Sequence, residues 1–267
     1  MTGEHALTLE PVAIADRRSP LRVGPSFSEL ADPEELSFRD QIEDYPEPVV
    51  DVPAWICRKE LQEKLTYALA RAQVQPAGKI IDLGAGSCWL SSMLALRPEV
   101  TKVIGVEFSR RRLTELAPVA MAYLDAPPEK IERVIADFYN PGLPGESADM
   151  VFTDAAYHHA ADPDRLARVA YTLLKPGGRF VLFREPTLSL LRRSRDHCGA
   201  DDHGSFEHEY FAREYTRQLR DAGFRATKHV ASGGFRTPRA RAMLRPPLSW
   251  LNGIVFSEYT YVGRKPV

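Results

Sequence analysis

Apolar and polar positions fall into two periods along the chain. From Lys79 onward, short runs rich in aliphatic residues, at Lys79 to Leu83, Lys102 to Glu107, Ile131 to Ala136, Met150 to Thr153 and Arg179 to Arg184, read as strands. Stretches with helical spacing separate the early ones, at Cys88 to Ala95 and Ser109 to Ala117. This alternation predicts an α/β fold with a mostly parallel sheet and crossover helices on both faces. The clearest helix runs from Asp162 to Lys175, with Asp162 as N-cap, Pro163 at the first helical position and Gly177-Gly178 beyond its end. Its stripe of Leu166, Val169, Ala170, Leu173 and Leu174 should pack on the sheet.

Outside that pattern, Trp55 to Ala72 has the spacing of one helix leading into the first strand. An amphipathic helix near Glu207 to Ala222 is closed by Gly223, and Arg225 to Ala231 and Phe256 to Gly263 read as an antiparallel C-terminal pair. Residues 1–53 carry seven prolines among many acids and show neither period, so they read as an acidic arm preceding a domain at 54–267. Substrate or lid elements are expected near 54–75, 186–222 and 232–255, because a structureless connection as long as the last is usually functional or disordered.

Composition narrows the class. With 267 residues and 44% apolar content, the chain can hold one large domain with elaborations or two small ones. No run reaches the ~18 apolar residues of a membrane span and no basic-then-apolar leader opens the chain, so the expected location is cytoplasmic. Three scattered cysteines, Cys57, Cys88 and Cys198, suggest neither a disulfide framework nor a zinc site. Net charge is -1, yet Arg184 to Val267 holds fifteen Lys and Arg against nine Asp and Glu. This basic third reads either as solvated helix faces or as a surface that meets an anionic acceptor or partner.

The candidate chemistry sits where the first strand ends, in Ile80-Ile81-Asp82-Leu83-Gly84-Ala85-Gly86. A strand running into Gly-x-Gly places backbone amides and one carboxylate at the carboxyl edge of a parallel sheet, where open α/β folds bind ligands. A dinucleotide would want a third glycine where Trp89 stands, and Asp82 would repel a pyrophosphate. S-adenosylmethionine, which carries an ammonium and a sulfonium, suits that carboxylate.

The run Lys79 to Ser91 resembles the first motif of class I S-adenosylmethionine-dependent methyltransferases, with Cys88 where many relatives have a third glycine. Several later segments agree in order, and the likeness spans roughly Lys79 to Pro186. It implies a Rossmann-like fold with S-adenosylmethionine as cofactor. It implies contacts from Asp82, Gly84, Ala85 and Gly86, from Glu107 and Phe108 at the ribose, and from Asp137 and Phe138 at the adenine. Asp154 and Ala155 would lie beneath the methionine part.

Methyl transfer from a sulfonium is an in-line displacement, so an oxygen acceptor needs positioning and a base. His158 and His159 after the fourth strand and His208 near the late helix are the candidates, with packing or cofactor contact as the ordinary alternative. The (Asp/Asn)-Pro-Pro-aromatic run of DNA amino methylation is replaced by Asp154-Ala155-Ala156-Tyr157, no Pro-Cys pair exists, and no carboxylate set suits a metal. The expectation is O-methylation of a small molecule or glycan, with no DNA partner and no metal. Arg192, Arg193, Arg195, Arg236, Arg239, Arg241 and Arg245 would favour an anionic acceptor. Methylation at N or C, an RNA or protein acceptor, and a non-catalytic subunit binding the cofactor or its product stay open. The sequence says nothing of oligomeric state.

Overall fold

The computed structural model describes residues 19–24, 51–188, 208–231 and 258–267. Most of the acidic arm, the arginines from Arg192 to Arg195 and from Arg236 to Arg245, and the expected lid segments over 189–207 and 232–255 lie outside these residues. The strands are β1 (Leu21–Val23), β2 (Gly78–Leu83), β3 (Val100–Glu107), β4 (Ile131–Ile135), β5 (Ala148–Asp154), β6 (Leu174–Leu188), β7 (Tyr210–Phe211), β8 (Arg225–Ala231) and β9 (Glu258–Arg264). The helices are α1 (Val52–Arg58), α2 (Leu61–Ala72), α3 (Trp89–Ala95), α4 (Ala117–Tyr123), α5 (Pro163–Leu173) and α6 (Ala212–Asp221). A π-helical turn at Arg112–Leu116 leads into α4.

The sheet runs in the order β1-β4-β3-β2-β5-β6-β9-β8, with β7 beside β6. Among the named strands of the described residues, β6–β9 and β8–β9 pair antiparallel and the others parallel. Strand order reverses at β2, which pairs with β3 on one side and β5 on the other. That reversal opens a crevice at the carboxyl ends of these strands.

The central strands read as unbroken apolar runs because both faces are covered. Side chains alternate between two cores: Ile80, Val103, Phe152, Val181 and Phe183 join the face covered by α1 to α4. Ile81, Ile104, Val106, Val151, Phe180 and Leu182 join the face covered by α5 and α6. Each fully buried aliphatic or aromatic side chain contributes about 1.5–3 kcal/mol from surface removed from water.

The expected helix over Trp55 to Ala72 is two helices. Asp51 accepts from the Ala54 amide to start α1 early, and Glu60 turns left-handed at φ 51° between α1 and α2. Leu61, Leu65, Ala68, Leu69 and Ala72 of α2 are buried, so this segment is part of a core. For α5, Asp162 accepts from the Arg165 amide at 2.8 Å and Pro163 occupies the first turn. Leu174 is extended, which ends α5 at Leu173 and starts β6 opposite Ala148. The late helix begins at Ala212 rather than Glu207, because Tyr210 and Phe211 pair with Thr187 and Leu188 and the Glu214 carboxylate accepts from the Phe211 amide. His208 therefore precedes that helix.

A strand within the arm was not expected. β1 lies parallel to β4, with Leu21 opposite Arg133. The Arg133 amide donates to the Pro20 carbonyl, the Gly24 amide donates to Ile135, and the Arg133 guanidinium reaches the Ser19 carbonyl at 2.9 Å.

Candidate functional site

The loop after β2 is held against β3. Gly84 (φ 74°) and Gly86 (φ 52°) adopt left-handed backbone that glycine accepts without strain. The Gly84 and Ala85 amides both donate to the Val106 carbonyl at 2.9 Å. Cys88 shares the left-handed conformation (φ 56°) and is fully buried, which explains why a glycine would also serve there. Burial pushes its thiol far above the ordinary range, so it packs as a neutral group.

Glu107, at the end of β3, accepts from the Gly86 amide at 2.8 Å and from the Ser109 amide at 3.1 Å. Its carboxylate thus links the glycine loop to the exit of β3. A Cβ built on Gly84 would lie 2.7 Å from Cβ of Ala156 and 3.9 Å from Cδ1 of Phe138, so the exits of β2, β4 and β5 meet here. Asp137 accepts from the Tyr139 amide at 2.7 Å, and the Phe138 ring packs edge-on against Tyr139.

Asp82 is completely buried, and its Oδ2 accepts from the Ser91 hydroxyl at 2.6 Å. Burial raises its pKa to about 7, opposed by the Ser91 hydrogen bond and reinforced by the charges of Asp154 and Glu107.

The exit of β5 is bound tightly to β6. Asp154 Oδ1 and Oδ2 accept from Arg184 Nε and Nη2 at 2.7 and 2.8 Å, and Oδ2 also accepts from Trp89 Nε1 at 2.6 Å. The Arg184 guanidinium lies 5.6 Å from the Trp89 ring centre. The Ala155 amide donates to the Phe183 carbonyl at 2.8 Å. Ala155 (φ 46°) and Arg184 (φ 55°) both carry left-handed backbone at neighbouring strand ends, a conformation that costs non-glycine residues of order 1–3 kcal/mol.

The three candidate histidines converge. His158 and His159 have ring centres 4.0 Å apart, and the His208 amide donates to the His158 carbonyl at 3.1 Å. Partial burial, then the neighbouring His158, lowers the pKa of His208. His158 Nδ1 lies 2.8 Å from Oε2 of Glu185, a fully buried carboxylate that the sequence reading missed. In the sequence it is simply an acid after Arg184 where the apolar strand run ends, at Arg184-Glu185-Pro186. Among the described residues no three His, Cys, Asp or Glu side chains form a group able to hold a metal ion.

A strand order reversing at β2, a glycine loop beyond it and an acid ending β3 define a Rossmann-like fold of the class I methyltransferase type. Residues 81–182 match the family described as a methyltransferase domain, so the chain carries a class I S-adenosylmethionine-dependent methyltransferase domain and is an enzyme of that activity. Solved structures with the same fold include a chain of the complex between the Haloferax volcanii Trm112 methyltransferase activator and a methyltransferase. That likeness has 21% identity and a TM-score of 0.59 over 81% of this chain and 98% of that one. An S-adenosylmethionine-dependent methyltransferase from Mesorhizobium loti is similar at 23% identity and TM-score 0.52, over 73% of this chain and 95% of that one. Haemonchus contortus phosphoethanolamine N-methyltransferase 2, in complex with phosphomonomethylethanolamine and S-adenosylhomocysteine, is similar at 15% identity and TM-score 0.63. That match covers 86% of this chain and 61% of the other.

The cofactor is S-adenosylmethionine, and the residues present fit it. A Cβ on Gly86 would meet nothing within 4 Å, so the loop has open space on that side, and Asp82 Oδ1 is a buried acceptor without a hydrogen-bond partner. No helix among the described residues is long and apolar enough to cross a membrane.

Proposed function

We propose that the domain methylates an oxygen of a small-molecule or glycan acceptor. The observation that carries this reading is the convergence of His158, His159 and His208 beside the exit of β5, on the same sheet edge as the glycine loop. His158 takes the acceptor hydroxyl's proton, while His159 and His208 line the approach. S-adenosylmethionine, when bound, supplies an electrophilic methyl group on its sulfonium. Gly84, Ala85 and Gly86 give it backbone contacts, Glu107 and Phe108 hold the ribose end, Asp137 and Phe138 the adenine end, and the carboxylate of Asp82 answers the positive amino-acid end. Ala155 would border the methionine part, and Asp154 would contribute by fixing Trp89 and Arg184 at that end.

The basic C-terminal third favours an acceptor with a phosphate or carboxylate, and free thiols at Cys57 and Cys88 suit a cytoplasmic setting. The test is incubation of the protein with methyl-labelled cofactor and fractionated cell extract, the product being identified by mass and its new bond by NMR. Label on an oxygen of a small molecule or glycan is expected. Label on nitrogen, as the phosphoethanolamine enzyme would give, or on carbon, protein or RNA, overturns the reading. Full turnover by His158→Ala removes that histidine as the base.

A further inference from the structure

Three consecutive residues of β6, Phe183, Arg184 and Glu185, hold the exit of β5. Arg184 binds Asp154 with two hydrogen bonds, the Phe183 carbonyl takes the Ala155 amide, and Glu185 takes everything after it. Its Oε1 accepts from the amides of Ala156 at 3.3 Å and Tyr157 at 3.2 Å. Its Oε2 accepts from the amide of His158 at 3.2 Å and faces the ring nitrogen Nδ1 of the same residue at 2.8 Å. A carboxylate with no solvent exposure is costly unless its lone pairs are filled, and here three backbone N–H groups fill them while a histidine ring nitrogen faces the remaining site. Among the described residues no lysine or arginine forms an ion pair with it, although the charge of Arg184 acts on it from the next position; Tyr157, Tyr215 and Tyr261 lie near it, their hydroxyls pushed up by burial and, further, by its charge.

We propose that Glu185 is a positioning residue for the methyl-accepting side of the site, and that it fixes the tautomer of His158. The carboxylate is an acceptor only, so the ring must present Nδ1–H to it, which leaves the lone pair on Nε2. The same carboxylate anchors the backbone that carries the ring, so the aim of Nε2 and the shape of the loop are set by one group. Register and strain agree with a constrained device. The β6–β9 pairing slips between Leu182 and Glu185, and Arg184 takes left-handed backbone just before the acid. That local twist turns Arg184 toward Asp154 and Trp89 while Glu185 reaches the backbone of residues 156–158. The role rests on His158 being the base, but its physical content can be read without any acceptor.

The experiment uses the full chain with nitrogen-labelled histidine, and His158→Asn identifies the His158 ring signals. For the neutral ring, long-range proton–nitrogen spectra should show the proton on Nδ1, with slow exchange against water. A wild-type ring protonated on Nε2 overturns the proposal, whether or not any variant folds. In Glu185→Gln one carboxylate oxygen becomes an NH2 group that cannot accept, so the Nδ1–H signal should be lost or shared with the Nε2–H form. Amide exchange at residues 156–158 should then speed up at least ~10-fold, and S-adenosylhomocysteine affinity should stay within about threefold. Glu185→Asp should restore part of the Nδ1–H population. An unchanged tautomer in Glu185→Gln refutes the proposal even if stability falls, since a purely structural acid would disturb exchange and leave the ring proton alone. Full turnover by His158→Ala with the wild-type tautomer intact would instead sink the base assignment and leave the Glu185 contact standing.

Discussion

Replacing Asp154 by Ala should destabilise this protein more than any surface charge deletion. Its carboxylate and the Arg184 guanidinium are 7% and 10% exposed as side chains, so neither is screened by water in the folded state. Removing the acid takes from a buried guanidinium its hydrogen-bonded counter-ion, leaving only the more distant charges of Glu258 and Glu185, a change that costs about 3–5 kcal/mol. The Trp89 Nε1–H, now without its 2.6 Å acceptor, adds a desolvation penalty of about 1–3 kcal/mol that overlaps the first. A total near 4 kcal/mol corresponds to a fall in Tm of about 8–16 °C for a domain of this size. Urea and thermal unfolding followed by circular dichroism measure it. Adding Arg184→Met should recover most of the loss, because removing both charges leaves neither buried alone. A loss below ~1 kcal/mol for Asp154→Ala, or a loss that disappears in molar salt, would show the pair to be hydrated and the reasoning wrong.

Other outcomes follow from the same site. Asp82, fully buried with a pKa raised to about 7, holds its proton in the folded state over a range where the unfolded chain has released it. Stability should therefore fall as pH rises from about 4 to about 7 and level off above, by roughly 4 kcal/mol from this group; Asp82→Asn should flatten that slope in the difference between the two unfolding curves. Glu107→Ala removes the acceptor of the Gly86 and Ser109 amides, so calorimetry should show S-adenosylmethionine binding weakened at least ~30-fold, or about 2 kcal/mol; unchanged affinity excludes the ribose role. Asp162→Ala deletes the α5 cap and should cost about 1 kcal/mol in urea unfolding without changing cofactor affinity.

How far the sequence could be read depends on the range of the interactions involved. The positions of Asp82, Gly84 and Gly86 at the end of β2 were legible because the apolar run marks that end and left-handed backbone at the two glycines favours that residue type, whereas Glu107 was reached through the family resemblance. Asp162 and Pro163 were legible for the same local reason. Glu185 was not, since its hydrogen-bond partners come from residues 156–158, nearly thirty positions away, and nothing in a β6 run distinguishes a loop-binding acid from a surface one. The break at Glu60 was hidden because the apolar spacing continues on both sides of a left-handed turn that a glutamate does not announce. His208 was placed on a helix because its neighbours fit helical spacing; pairing of Tyr210 and Phe211 with β6 decided otherwise. Burial of the 61–72 stripe in the core likewise depends on a face of the sheet that the local pattern does not describe.

The pairing of β1 with β4 has a consequence for the order in which this molecule is completed. Ser19 and Ile131 are joined across 112 residues, so β1 leaves the ribosome long before its partner exists. Closing so long a loop is entropically slow, and its reward is three residue pairs and the reach of Arg133. The rest of the sheet can form first, leaving the outer amides and carbonyls of Ile131–Ile135 open to any passing strand. The stretch at 21–23 then acts as a built-in stopper, occupying the growth point of the sheet with the chain's own backbone. Loss of that stopper should appear first as self-association of newly made protein, before any change in the chemistry at the opposite side of β2.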